Sequence, residues 1–306
     1  MQCVERRQFY GKSMLITGAS QGIGKSIALE ASLRGISHLI LTSRSRETLN
    51  RVKEEIHVEI RKSLENSTHT GNNRVHYRLI GLLTNLVVDI VEADLSSKEG
   101  PSNLIEETHS LLQKVDKDAK LDYLVLNHIT GSDFGLWLTR NKDKDYRDQQ
   151  NLEDMFRTNT FSYIWIATKA VNTLMSTTGH IVVVSSLAGH VGVPNTAAYS
   201  ATKHALHGFF NALRVEMDIM QIDIGITLAA IGATDTEGAK QVMKQLPTVA
   251  WDAPIDAARA ILRGAALKKR EIFHPHHKVF PAVFLYSVVP QVIDYLLKVV
   301  NKSAMS

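Results

Sequence analysis

Residues 13–35 read SMLITGASQGIGKSIALEASLRG, and the order of residue types in this stretch decides the fold. Ser13 to Thr17 is a short apolar run of the kind that fills a buried strand. It passes directly into a glycine-rich turn and then into KSIALEASLRG, a helical pattern that stops at Gly35. Gly18, Gly22 and Gly24 have the spacing GxxxGxG. Glycines so placed permit a tight turn and let backbone N–H groups approach a pyrophosphate at a helix amino terminus. A glycine triplet alone is weak evidence, and its position between a strand and a helix is what gives it weight.

Further strands follow at regular intervals. HLILT at 38–42 ends in Ser43-Arg44-Ser45. At this point in a dinucleotide fold an acidic residue accepts from the ribose 2′-hydroxyl, whereas an arginine accommodates a 2′-phosphate. No acid is present, and the planar fork of Arg44 suits phosphate, which favours NADP(H) over NAD. VVDIVEADL is the third strand, with Asp94-Leu95 at its end beside the adenine. LDYLVLN delivers Asn127 to the same carboxyl edge. HIVVVSS, IDIGITLAA and REIFHP are the remaining strands.

Helical stretches separate these strands: SRETLNRVKEEIHVEIRKSL, residues 98–114, NLEDMFRTNTFSYIWIATKAVNTLM, AAYSATKHALHGFFNALRVEMDIM and APIDAARAILRGAAL. Strands alternating with helices imply an α/β protein with a Rossmann-like, doubly wound parallel sheet in one domain. The expected layout is a tail at 1–12, the domain at 13–277 with an insertion near 63–86, and an apolar helical extension at 278–306. TRNKDKDYRDQQ is read as a solvated loop. IGATDTEGAKQVMKQL is read as a loop and helix able to close over a nicotinamide.

Residues 185–203, SSLAGHVGVPNTAAYSATK, carry the chemistry. Tyr199 and Lys203 are four apart, so on a helix they share a face. A phenol is a poor acid or base at neutral pH unless a cation stabilises its phenolate, and Lys203 is placed to be that cation. Ser186 ends a strand at the edge where ligands bind in open α/β sheets. Asn159 interrupts a helical run, where asparagine is a poor interior residue, and a buried amide there implies a specific hydrogen-bonding task.

The composition excludes other classes. The chain has 306 residues and a formal net charge of +4, too mild for nucleic acid without a basic tract and interleaved aromatics. Cys3 is the only cysteine, which excludes an internal disulfide and a cysteine-based zinc site. His274, His276 and His277 surround Pro275 without a carboxylate or cysteine at ligand spacing, so no metal is expected. MQCVERRQFYGK has no apolar core, and no signal peptide or amino-terminal anchor is read in it. VFPAVFLYSVVPQVIDYLLKVV is strongly apolar but is broken by Pro281, Pro290 and Asp294. It suits peripheral membrane contact through residues 279–300, a helix pair packed on a partner, or burial on the protein's own core. Asn66-Ser67-Thr68 and Asn301-Lys302-Ser303 are glycosylation sequons, meaningful on the secretory route.

TGASQGIG, Asp94-Leu95, Asn127, Asn159, Ser186 and the Tyr199/Lys203 pair occur in the order of the short-chain dehydrogenase/reductase family, which the chain resembles from about Lys12 to His274. LDYLVLNHIT, GHIVVVSSLAG, AAYSATKHALHGFF and ITLAAIGATDTEGA look like the 11-beta-hydroxysteroid dehydrogenase type 1 group. The resemblance implies Tyr199 as acid/base, with Lys203 lowering its pKa and holding the nicotinamide ribose. It implies Ser186 on the carbonyl oxygen and Asn159 anchoring a relay water. Gly18, Ala19, Ser20, Gln21, Gly22, Ile23 and Gly24 would hold the pyrophosphate, Arg44 and Ser45 the 2′-phosphate. Asp94, Leu95, Asn127, Ile129 and Gly232 would line the cofactor, with Thr234 and Thr236 on the carboxamide side. Leu187, Ala188 and Val193 would face substrate with Ser186 and Tyr199. Three positions depart from the pattern: Ile231-Gly232 replaces Pro-Gly, Gln21 stands where many NADP-using members are basic, and Val193 stands where steroid-using relatives can present an aromatic.

The expected protein is an NADP(H)-dependent oxidoreductase interconverting a ketone and a secondary alcohol on a lipophilic, steroid-like substrate. The resemblance also implies a homodimer and an endoplasmic-reticulum membrane address, with the cytoplasm as the alternative. Two other functions remain open: a non-catalytic NADP-binding regulator and a reductase of a non-steroid lipid carbonyl.

Overall fold

The computed structural model describes residues 8–69, 80–81, 85–131, 135–137, 145–242 and 251–303. Seven strands form one sheet: β1 (Ser13–Thr17), β2 (His38–Ser43), β3 (Val87–Glu92), β4 (Tyr123–Leu126), β5 (His180–Val184), β6 (Gly225–Ile231) and β7 (Glu271–His274). Their order is β3-β2-β1-β4-β5-β6-β7, and every pairing is parallel. The order reverses beside β1, between β1 and β4, which in such sheets opens a crevice at the carboxyl ends of the strands.

The helices are α1 (Gly22–Arg34), α2 (Arg46–His69), α3 (Gly100–Val115), α4 (Asp145–Phe156), α5 (Ser162–Met175), α6 (Ala197–Ile219), α7 (Glu237–Val242), α8 (Pro254–Ala266), α9 (His276–Val288) and α10 (Pro290–Ser303). Successive strand residues point to opposite faces, so β1 sends Met14 and Ile16 into one core and Leu15 into the other. The first core joins α1, α2 and α8; the second joins α3, α5 and α6. With both faces covered, the central strands are continuous apolar runs, and β1, β4 and β5 are buried throughout. Gly35 caps α1 with φ +103°, its N–H reaching Ala31 and Ser32 carbonyls, as a left-handed terminal glycine does. Asp122 ties the amino ends of β1 and β4, accepting from Lys12 Nζ at 2.8 Å and Ser13 N at 2.9 Å.

Three expectations change. The segment 63–86 begins as the last turns of α2, which runs on to His69; residues 70–79 and 82–84 lie outside the described residues, as do Cys3 and Phe134. The charged patch read as a loop is helical from Asp145 onward, its first residues lying outside the description. The long helix around Asn159 is interrupted: Arg157–Phe161 forms a π turn, with Ser162 N–H donating to Arg157 O. At the carboxyl end, Pro281 lies inside α9 and Pro290 separates α9 from α10. Among the described residues no helix is long and apolar enough to cross a membrane.

Candidate active site

The glycine turn is built around close approach. Gly18 has φ +63°, and a Cβ there would stand 2.7 Å from His128 Cα. Gly22 has φ +56°, and its Cβ would meet Thr236 Cγ2 at 2.9 Å. A Cβ on Gly24 would lie 2.2 Å from Gly18 O and 2.5 Å from Asn127 Nδ2. Asn127 Nδ2 donates to Gly18 O at 3.1 Å and Asn127 N to Thr17 Oγ1 at 2.9 Å, so Asn127 braces the turn. Ala19 is buried, and its N–H donates to Thr42 O at 3.1 Å. Gln21 is the cap of α1 but makes no side-chain capping bond, and no acid occupies the first turn. The first N–H groups around Gly22 and Ile23 thus keep their affinity for an anion.

Around this turn lie the other expected cofactor contacts. Arg44 is exposed after β2, and Ser45 Oγ accepts from Thr48 N at 3.3 Å, capping α2. The Asp94 carboxylate accepts from Ser96 N at 3.0 Å and Ser96 Oγ at 2.7 Å. That hydrogen bonding, assisted by the Arg44 charge, outweighs partial burial and lowers the Asp94 pKa. Leu95 is buried beneath it, and Ile129 is exposed beside Asn127. Gly232 N donates to His274 O at 2.7 Å, fixing the end of β6 against β7. Thr234 Oγ1 donates to Gly232 O at 3.2 Å, and Thr236 Oγ1 accepts from Ala239 N at 3.2 Å to cap α7. The contact between Thr236 and the Gly22 position brings this loop over the glycine turn.

Tyr199 and Lys203 lie on α6, one helical turn apart. Lys203 is 1% exposed; its Nζ donates to Val184 O at 3.1 Å and stands 5.3 Å from the Tyr163 ring centroid and 5.7 Å from that of Tyr199. Burial pulls the Lys203 amine down to about 7. Burial also pushes the half-buried Tyr199 phenol up to about 12, against a hydrogen bond from Ser186 that lowers it. Burial is thus the larger influence on both groups. The desolvation that raises Tyr199 also makes Lys203 shed its proton, so the lysine is not a full cation near neutrality. Ser186 closes the site, its Oγ accepting from Ala188 N at 3.2 Å. Leu187 and Val193 are half-buried and Ala188 is buried, giving that side an apolar lining.

Asn159 is wholly buried in the π turn, and its amide grips the loop after β4: Thr130 N donates to Oδ1 at 2.8 Å, and Nδ2 donates to Thr130 O at 3.0 Å. Single π turns frequently mark functional sites. Behind this loop lies a group that sequence reasoning missed. His128 Nδ1 meets Thr17 Oγ1 at 2.8 Å, and its Nε2 meets Ser162 Oγ at 2.6 Å. Tyr163 donates to His128 O at 2.6 Å. Burial, with Lys203 nearby, drives His128 down to about 3 and keeps it neutral. The only sequence signal for it was the second residue of NHIT.

A nucleotide cradle that a single Cβ would fill, opposite a serine and a tyrosine above a buried lysine, is the arrangement of a dinucleotide-dependent dehydrogenase. The family model described as short chain dehydrogenase matches residues 12–69 and 79–247. The chain belongs to the short-chain dehydrogenase family. A hydroxysteroid 11-beta-dehydrogenase 1-like protein of Gallus gallus is 34% identical over 268 residues, 88% of this chain and 80% of that protein. One of the same description from Xenopus tropicalis is 33% identical over 285 residues, 93% of this chain and 86% of that one. Among solved structures, a short-chain dehydrogenase from Burkholderia cenocepacia J2315 in complex with NADP superposes with TM-score 0.69 at 18% identity, covering 94% of this chain and 98% of that one. A short-chain dehydrogenase from Sphingobium yanoikuyae in complex with NADPH gives TM-score 0.66 at 19% identity, covering 92% and 95%. These last likenesses establish the fold.

Proposed function

We propose that this short-chain dehydrogenase is an NADP(H)-dependent oxidoreductase that interconverts a ketone and a secondary alcohol on a lipophilic substrate. The observation that carries the reading is Tyr199 one helical turn from the buried Lys203, whose Nζ stands 5.7 Å from the Tyr199 ring centroid, with Ser186 at the end of β5. The cradle fits a dinucleotide: Gly18, Gly22 and Gly24, where a Cβ would meet neighbouring atoms at under 3 Å, would hold a pyrophosphate, Arg44 would take a 2′-phosphate, and Thr234 with Thr236 would hold the nicotinamide side. When bound, the nicotinamide supplies or accepts the hydride. Tyr199 gives its proton to the carbonyl oxygen, and Ser186 orients that oxygen by a hydrogen bond. Lys203, poised near neutrality, passes a proton towards Tyr199. Asn159 keeps the Thr130 loop fixed beside them.

Leu187, Ala188 and Val193 ask for an apolar substrate, and the names of the hydroxysteroid 11-beta-dehydrogenase 1-like relatives support a steroid-like one. Val193 in place of an aromatic favours, as a second reading, a non-steroid lipid carbonyl. Phe284 at 56%, Val288 at 62% and Tyr295 at 65% exposure give α9 and α10 an apolar surface, which supports contact with an endoplasmic-reticulum membrane. Tyr286 of α9 comes within 4.0 Å of where a Cβ on Gly192 would be, so the same helices flank the loop that carries Val193. Exposed Phe161, Trp165, Val215 and Ile219 on and beside α5 and α6 support a homodimer through those helices.

The deciding experiment follows cofactor absorbance with NADPH and NADH in parallel against steroid ketones, retinaldehyde and simple aromatic ketones. Turnover of an apolar carbonyl with NADPH preferred is expected. Saturable NADPH binding without turnover of any of them would replace the enzyme by a cofactor-binding regulator.

A further inference from the structure

We propose that His190, His207 and Glu271 form a transition-metal site of the zinc class. They come from three separate places: His190 follows the 3-10 turn Leu187–Gly189, His207 lies on α6, and Glu271 opens β7. One ligating atom from each lies within 4.8 Å of the others. His190 Nε2 meets Glu271 Oε1 at 2.6 Å, and His207 Nδ1 stands 3.5 Å from the same oxygen. The two imidazole rings meet edge to face with centroids 4.1 Å apart.

The independent sign of a ligand is His207. It is 6% exposed, and its Nδ1 has no hydrogen-bond partner, although that atom faces Glu271. Its other nitrogen is engaged by Ser185 Oγ at 2.9 Å. A metal-ligating histidine is held in this way, with one nitrogen on the ion and the other on a polar neighbour that fixes ring and tautomer. The His190–Glu271 ion pair leaves that buried nitrogen with only a 3.5 Å approach to the same carboxylate oxygen. A Cβ on Gly189 would stand 2.7 Å from the His207 ring, so the turn is shaped around it.

The spacing suits the ion. Zinc–nitrogen and zinc–oxygen bonds of about 2.0–2.2 Å put tetrahedral ligand atoms about 3.3–3.5 Å apart. His207 and Glu271 already have that separation. The His190–Glu271 contact, at 2.6 Å, must open by about 0.8 Å to reach that separation. Two imidazoles and a carboxylate are a donor set for zinc and for its neighbours cobalt, nickel and copper. The His190 and Glu271 side chains are 22% and 23% exposed, so an ion and a fourth, water ligand can reach them.

The test is calorimetric titration of the chelator-treated full chain with Zn²⁺, alongside His190→Asn, Glu271→Gln, Ser185→Ala and a His276→Gln/His277→Gln control. One equivalent is expected to bind, with affinity falling more than about 100-fold on loss of a ligand and about 10-fold for Ser185→Ala, the range for outer-shell partners. The control binds as before. Absence of stoichiometric binding, unchanged binding in His190→Asn, or loss in the control overturns the proposal. Should His190→Asn fail to fold by circular dichroism, electron spin echo modulation on the Cu²⁺ form of the unaltered chain decides it: two coordinated imidazoles support the site, and one or none overturns it.

Discussion

Lys203 is the residue whose environment says most about how the site works. Its amine is held near about 7 rather than 10.5, so between those values the unfolded chain keeps a proton that the folded one has shed. Stability therefore rises with pH across that window, and the penalty is complete below it. The denaturation free energy of the native chain, minus that of Lys203→Met, should climb between about pH 7 and 10.5; a flat difference would show that the amine is not desolvated. Tyr199→Phe keeps ring and packing but has no proton to give, and a turnover loss of about 100- to 10,000-fold is expected with NADPH affinity nearly unchanged by fluorescence titration. Arg44→Ala should move the NADPH-to-NADH preference towards NADH in steady-state kinetics. Tyr199, Lys203, Ser186 and the glycines were legible because their spacing is local. His128 with Thr17 and Ser162, or His190 with His207 and Glu271, were not, since these partners meet only after the strands have been ordered.

At the scale of elements, the glycine turn and the π turn are the two pieces that hold the site in shape. Gly18→Ala would force a side chain into a left-handed backbone and against the His128 main chain. The strain is worth about 1–3 kcal/mol, and thermal melts should show a lower midpoint with a smaller upward shift on adding NADPH. Asn159→Ala removes both partners of the half-buried Thr130 N–H and carbonyl, so a loss of about 1–3 kcal/mol in chemical denaturation is expected. The strands were readable from sequence because a doubly covered parallel sheet demands unbroken apolar runs. The length of α2 was not, because its polar last turns carry no apolar stripe to mark where it stops. Nor was the π turn, since one extra residue in a helix leaves the surrounding apolar spacing almost intact.

For the molecule as a whole, the exposed apolar faces of α9 and α10 carry their own expectation. Phe284→Asp with Val288→Asp should reduce co-sedimentation with phospholipid vesicles by at least about tenfold, given about 1.5–3 kcal/mol for each buried apolar side chain, while NADPH binding stays as it was. Light scattering of the purified chain checks the dimer, with Trp165→Glu expected to shift it towards monomer. The sheet order has one more consequence, and it concerns synthesis. β1 leaves the ribosome first, yet one of its two neighbours is β4, beginning at Tyr123. At about 5–20 residues per second, an apolar strand that ends buried along its whole length must wait roughly 5–20 s for half of its hydrogen bonds. The nascent chain is most in need of a chaperone during that interval.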